Sequence, residues 1–303
     1  MSPSPDTAQE VAASLLAATG DALATGDFEL FRRNFQLPQS IATIGGTRTL
    51  NTEEDLRRTF EQIRAHYAEI GLDRLDRWIE VALFDGPNEI RSCHITHMLS
   101  KSGKLLNTPI LTMSRLVRAG ERWLIGGTQY TISAESAHGQ ALLSDGTPYR
   151  PQGAGGAAEA IFQNHLDRVT RAYLEDRFDL LMAAVQLPLF LQASEGAMLI
   201  SDVQQLREDF KRSVTRLRVQ SVSDIVRRVQ SAEIIGEKRI HGTYRTHILS
   251  AEQLVIPAYK SSMSIEMGED LNWRMTSVMH PIGHLTLPDG PAHAEGFGPG
   301  ERV

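Results

Sequence analysis

Thr96-His97-Met98-Leu99-Ser100 recurs as Thr246-His247-Ile248-Leu249-Ser250, and the same spacing of 150 residues holds along most of the chain. It pairs Phe28 with Phe178, and Gln36-Leu37-Pro38 with Gln186-Leu187-Pro188. It also pairs Leu56, Arg57 and Phe60 with Leu206, Arg207 and Phe210, and Arg77 with Arg227. Ile90 meets Ile240, Met113-Ser114 meets Met263-Ser264, and Trp123 meets Trp273. One register kept through so many apolar anchors marks an internal repeat. The absence of a gap predicts loops of equal length in the two copies. A chain of 303 residues divided this way makes two units of ordinary domain size. Ser144 to Gly156 is rich in Gly and Pro without periodicity, which predicts a linker. Leu287 to Val303 has the same character and is expected to be a flexible tail. The expected domains are therefore 8–140 and 158–286, with 141–157 joining them and 287–303 trailing.

Within one copy the order of elements is legible. Val11, Leu15, Ala18 and Ala22 share a helical face over 8–25, matched by Ile161, His165, Leu166, Val169 and Tyr173 over 158–175. Short second helices are expected over 27–35 and 177–185, stopped by Pro38 and Pro188. Short strands over 40–44 and 48–50 turn at Gly45-Gly46. Thr52 is a good N-cap, with Glu53, Glu54 and Asp55 in the first turn of a third helix. Its counterpart begins near Ser201 and Asp202. Four longer strands follow, over 75–84, 89–100, 105–117 and 122–132, with turn residues at Asp85-Gly86-Pro87 and Ser102-Gly103.

Helix, helix, two short strands, helix, then four antiparallel strands in about 130 residues resembles the cone-shaped fold of nuclear transport factor two. SnoaL-like polyketide cyclases, ketosteroid isomerases and scytalone dehydratases share that fold. The resemblance covers about 8–134 and 158–284. It implies an α+β chain of two tandem cystatin-like cone domains, each with three helices on a curved antiparallel sheet and a pocket inside. Such folds pair through the outer sheet face, so the resemblance implies an intrachain pseudo-dimer.

Composition narrows the function. The net charge of −6 is shared evenly, and neither half is the basic body of a nucleic-acid binder. Arg207, Arg212, Arg216, Arg218, Arg227 and Arg228 are interleaved with Glu208, Asp209 and Asp224, the pattern of a solvated face. No apolar run approaches the roughly 18 residues of a membrane span, and Met1 to Glu10 lacks the features of a signal peptide. A single cysteine, Cys93, excludes an intrachain disulfide and a Cys-built zinc site. A cytoplasmic protein is expected, with no nucleic-acid or membrane partner.

The strand that carries the repeated stretch holds the candidate chemistry. Side chains alternate, so Ile90, Ser92, His94, Thr96 and Met98 share one face while Arg91, Cys93, Ile95, His97 and Leu99 share the other. His94 and His97 therefore cannot chelate one ion. His241 and His247 share a face but stand roughly 20 Å apart along a strand. No metal site is expected, and no cofactor, since Gly153 to Gly156 does not stand between a strand and a helix. His97 and His247 are the candidates for general acid or base chemistry, because histidine titrates near neutral pH. Their persistence amid changing neighbours fits a structural role better. His94, Thr96, Tyr244 and Thr246 lie on the other face and are expected to line a pocket.

The isomerase resemblance implies a carboxylate base in an apolar cone, yet strands 90–100, 105–117 and 122–132 contain no Asp or Glu. Asp76 and Glu80 become Val226 and Gln230 in the second copy, so no catalytic dyad carries over. The expectation is a tandem binding or interaction module for a small apolar ligand or a protein partner. The alternative is a cofactor-free SnoaL-like or isomerase-like enzyme using histidine.

Overall fold

A computed structural model describes residues 7–146, 156–193, 196–235 and 238–280. The first unit runs α1 (Ala8–Thr25), α2 (Phe28–Arg32), β1 (Phe35–Ile44), β2 (Gly46–Leu50), α3 (Glu53–Glu69), β3 (Arg74–Phe84), β4 (Glu89–Leu99), β5 (Ile110–Ala119), β6 (Arg122–Ser133) and α4 (Ala137–Leu143). The second runs α5 (Ala157–Leu174), α6 (Phe178–Ala184), β7 (Val185–Ala193), β8 (Gly196–Ile200), α7 (Val203–Val219), β9 (Asp224–Ile235), β10 (Arg239–Ser250), β11 (Gln253–Leu254), β12 (Tyr259–Met267) and β13 (Trp273–Met279).

Local chemistry sets the helix starts. Thr7 and Thr52 each form a capping box, with Glu10 and with Asp55, so the first orphan N–H groups of α1 and α3 are satisfied. Asp202 caps α7. Gly26 ends α1 in the left-handed conformation at φ 78°, where a side chain would be strained.

Each sheet is antiparallel except where the first strand returns alongside the last. The orders are β2-β1-β6-β5-β4-β3 and β8-β7-β13-β12-β10-β9, with β11 on the free end of β10. The parallel pairs are β1 with β6 and β7 with β13. The fold is α+β, two cystatin-like cone units in tandem, and this rests on that order and pairing.

The structure departs from expectation in four places. The second helices are shorter than 27–35 and 177–185, because Phe35 and Val185 already open strands. Pro38 and Pro188 lie inside those strands, and the β1–β6 pairing shifts register between Phe35 and Ser40, where a missing N–H costs no ladder bond. The strand expected from 105 starts at Ile110, with only a single bridge between Leu99 and Leu105 before it. Residues 141–143 complete a helix that begins within the expected first domain. Ser136 caps it through Gly139 N–H, and Leu142 and Leu143 are buried in the first core. Seven residues are too few to show a helical period. Most of the expected linker, 147–155, and the whole tail, 287–303, lie outside the described residues.

The fourth departure concerns the repeat itself. His94 faces Thr112, but Tyr244 faces Ser261, so β12 stands one residue out of step with a strict 150-residue spacing. The step is undone before β13, since Ile125 pairs with Leu116 while Met275 pairs with Ile265. The loops before and after β12 therefore do not match those of the first copy in length. A one-residue slip turns side chains to the opposite face. Met113 looks between the units, whereas Met263 lines the second cone.

The two units form an intrachain pseudo-dimer through the outer faces of their sheets. Arg91 is buried there beside Asp85, and its Nη1 donates to the carbonyls of Pro188 and Thr276, each at 3.3 Å. Gln192 donates to Cys93 Sγ at 3.1 Å, and Ser277 meets Gln129 at 3.3 Å. Burial pushes the Cys93 thiol up to about 11, so it stays protonated.

Candidate functional site

Inside each cone, one row of side chains crosses three strands. In the first unit it reads His94 on β4, Thr112 on β5 and Tyr130 on β6. In the second it reads Tyr244 on β10, Ser261 on β12 and His280, the residue after β13. Histidine and tyrosine have exchanged places around a central hydroxyl. His94 and Tyr244 were visible as equivalent positions. Their partners across the sheet were not, because the slip in β12 and the strand order set that row.

The second row is wired. The Tyr244 phenol hydrogen-bonds Ser261, and Ser261 Oγ lies 2.9 Å from His280 Nδ1. Burial raises the Tyr244 phenol far above its usual range, so it remains neutral. This row lies along a cavity of about 140 Å³. Leu181, Leu189, Leu206, Met263, Met275 and Val278 supply apolar walls. Asp209, Arg216 and Arg227 bring charge to it.

The first cavity is smaller, about 80 Å³, and more polar. Ser92, His94, Thr96, Thr112, Tyr67, Tyr130 and His138 all face it, with Arg77 at one wall. Burial first, and the charge of Arg77 second, hold His94 down at about 3, so it is a neutral imidazole at physiological pH. His138, on the unexpected helix α4, is likewise held at about 3 by burial and by His66. It stacks on Tyr67 at 5.7 Å between ring centroids and closes the cone.

The sequence candidates separate accordingly. His94 and Thr96 line the first cavity, and Tyr244 lines the second. Thr246 is buried opposite Tyr259 across the sheet and stops short of the cavity wall. His97 and His247 are half-buried on the opposite face. His97 packs edge-on against Trp78 at 4.8 Å, and neither histidine borders a cone cavity. Among the described residues no three His, Cys, Asp or Glu side chains gather in a group that could hold a metal ion. No described helix is long and apolar enough to cross a membrane.

Arg77 and Arg227 were paired by the repeat but not read as site residues. They sit directly across from Thr96 and Thr246. Arg227 donates to Thr170 Oγ1 at 2.8 Å, and Arg77 reaches α1 in the same way. The available signal was a charged side chain kept at the same place in both copies, on the strand face shared with the pocket.

No family model matches the chain, and no curated protein matches it in sequence. Among solved structures it is similar to a nuclear transport factor two-like protein of unknown function from Shewanella oneidensis MR-1. That likeness is at 13% identity and covers 40% of this chain and 96% of the other, with a TM-score of 0.33. A domain of unknown function with a cystatin-like fold from Nostoc punctiforme PCC 73102 is 15% identical over 59% of this chain and 98% of its own, at TM-score 0.35. A second Nostoc punctiforme protein of unknown function with a cystatin-like fold is 14% identical over 41% and 90%, at TM-score 0.33. These are likenesses of fold and carry nothing about activity.

Proposed function

We propose that this chain is a tandem small-molecule binding module whose second cone holds a small, mainly apolar ligand. The observation that carries this reading is the cavity of about 140 Å³, apolar along its walls and polar at Tyr244, Arg227 and His280. Sites of this kind fix orientation with a few polar groups and gain affinity from apolar contact. The volume suits a body about the size of a single ring.

Binding is favoured over proton-transfer catalysis because His94 and Tyr244 are both held in neutral forms. The His94 imidazole is held at about 3 and the Tyr244 phenol is raised, so neither exchanges a proton readily near pH 7. His97 and His247 lie outside the cones. Thermal-shift measurement against single-ring alcohols and ketones tests the reading. A para-cresol or cyclohexanone analogue is expected to raise the melting temperature, and Val278→Phe, which fills the cavity, is expected to abolish that rise. No shift with any such compound, or a shift unchanged in Val278→Phe, overturns it.

A further inference from the structure

The first cavity has Arg77 on its wall and no carboxylate among its lining residues. Arg77 forms a wall shared by the inner cavity and an outer groove of about 570 Å³ between α1, the end of α3 and β3. Its Nη2 donates to the Leu16 carbonyl and, at 3.4 Å, to Thr19 Oγ1. A guanidinium carries five N–H donors, so those on Nε and Nη1 remain for something else. Among the described residues no carboxylate makes a salt bridge to it, and Asp21 acts on it only through space. In the second cone Asp209, ion-paired with Arg212 at 3.4 Å, stands on the cavity wall where the first copy has Thr59. Gly20 leaves the passage that Arg77 occupies, since a Cβ there would strike the guanidinium.

Three further polar atoms of residues lining the same cavity lack a partner. Thr112 Oγ1, Thr128 Oγ1 and His138 Nδ1 are buried without a hydrogen bond. Buried polar groups are nearly always satisfied, so three such atoms beside a cation without an ion pair need an explanation. A purely structural Arg77, tying β3 to α1, accounts for the Leu16 contact and leaves the hydroxyls and the imidazole unexplained.

We infer that the first cone binds a short-chain organic carboxylate, its anionic end on the Arg77 guanidinium and its polar contacts completed by Thr112 and His138. A guanidinium matches a carboxylate with paired hydrogen bonds. The cavity has room for roughly six non-hydrogen atoms, and the outer groove, where Arg64 and the Asp76-paired Arg74 stand with Asp21 and Asp73, opens onto Arg77. The inference rests on the cones being ligand sites, and it is independent of what the second cone holds.

The test is calorimetric titration of the full chain with sodium butyrate, with butyramide and sodium phosphate at matched ionic strength as comparisons. Butyrate is expected to bind, while the isosteric amide and phosphate bind at least tenfold more weakly. Arg77→Met is expected to lose at least tenfold in butyrate affinity, Arg77→Lys to lose less, and Arg227→Met to leave it unchanged. Should Arg77→Met fail to fold, Thr112→Val decides, with an expected loss of three- to tenfold. Equal binding of butyrate and butyramide, or unchanged butyrate affinity in the Arg77→Met or Thr112→Val variant, overturns the inference. Butyrate binding that survives Val278→Phe, with the apolar ligand lost, separates this site from the second cone.

Discussion

Glu89 and Arg239 stand at the same position of the two repeats, and their side chains meet across the pseudo-dimer at 3.5 Å with opposite charge. Arg239 also reaches Glu266 at 2.6 Å, and Arg115 reaches Glu89 at 3.2 Å, so four charges form one network. Two identical copies of the first unit, paired in this way, would set Glu89 against Glu89. The exchange of sign makes the two halves complementary to one another.

Arg239→Glu is therefore expected to destabilise the chain by about 1–3 kcal/mol, since it places three acids together in a partly buried network. The double exchange, Glu89→Arg with Arg239→Glu, should recover part of that loss. Recovery stays incomplete because Glu266 still faces the new acid. Urea denaturation of the two single variants and the double gives the coupling, and a value near zero would mean the network contributes nothing.

Acid should unfold this protein early. Burial holds His94 and His138 at about 3, and His165 and His241 at about 4, all below the ordinary histidine value. The unfolded chain therefore takes up these protons first. The stability they contribute is complete above about pH 6.5 and is lost as pH falls toward 4 and then 3. With nearly four protons taken up on unfolding, stability should fall by roughly 5 kcal/mol per pH unit near pH 5. Urea midpoints at pH 7, 6 and 5 check the slope, and a flat profile refutes it.

His97→Asn and His247→Asn should leave ligand affinity in both cones within about twofold, because neither side chain borders a cavity. His97→Asn removes a ring packed on Trp78 and should cost about 0.5–1.5 kcal/mol. Affinity that falls with stability unchanged would place these histidines in the binding machinery after all.

Gly242→Ala should destabilise the second unit by about 1–3 kcal/mol, since its Cβ would come within 2.7 Å of the Phe162 ring. Phe162→Leu in the same chain should relieve part of that cost. Phe162 is fully buried in the second core, so a neutral Gly242→Ala would mean that this packing is looser than it looks.

The sequence by itself determined the duplication, the long helices α1, α3, α5 and α7, the N-cap at Thr52 and the two faces of β4 and β10. These follow from local rules: apolar periods of 3.6 and 2, capping residues, and turn chemistry. Side-chain alternation alone was enough to part His94 from His97. Tertiary structure decided the rest, because it depends on pairing between distant strands. A loop longer or shorter by one residue moved β12 one step and turned Met263 into the cone while Met113 looks out. No local signal records that slip. The exchange of His94 and Tyr130 for Tyr244 and His280 became visible only once three strands lay side by side. Along the chain Arg77 is marked only as the repeat partner of Arg227. It becomes a half-buried cation because α1 folds over it and Gly20 leaves it room.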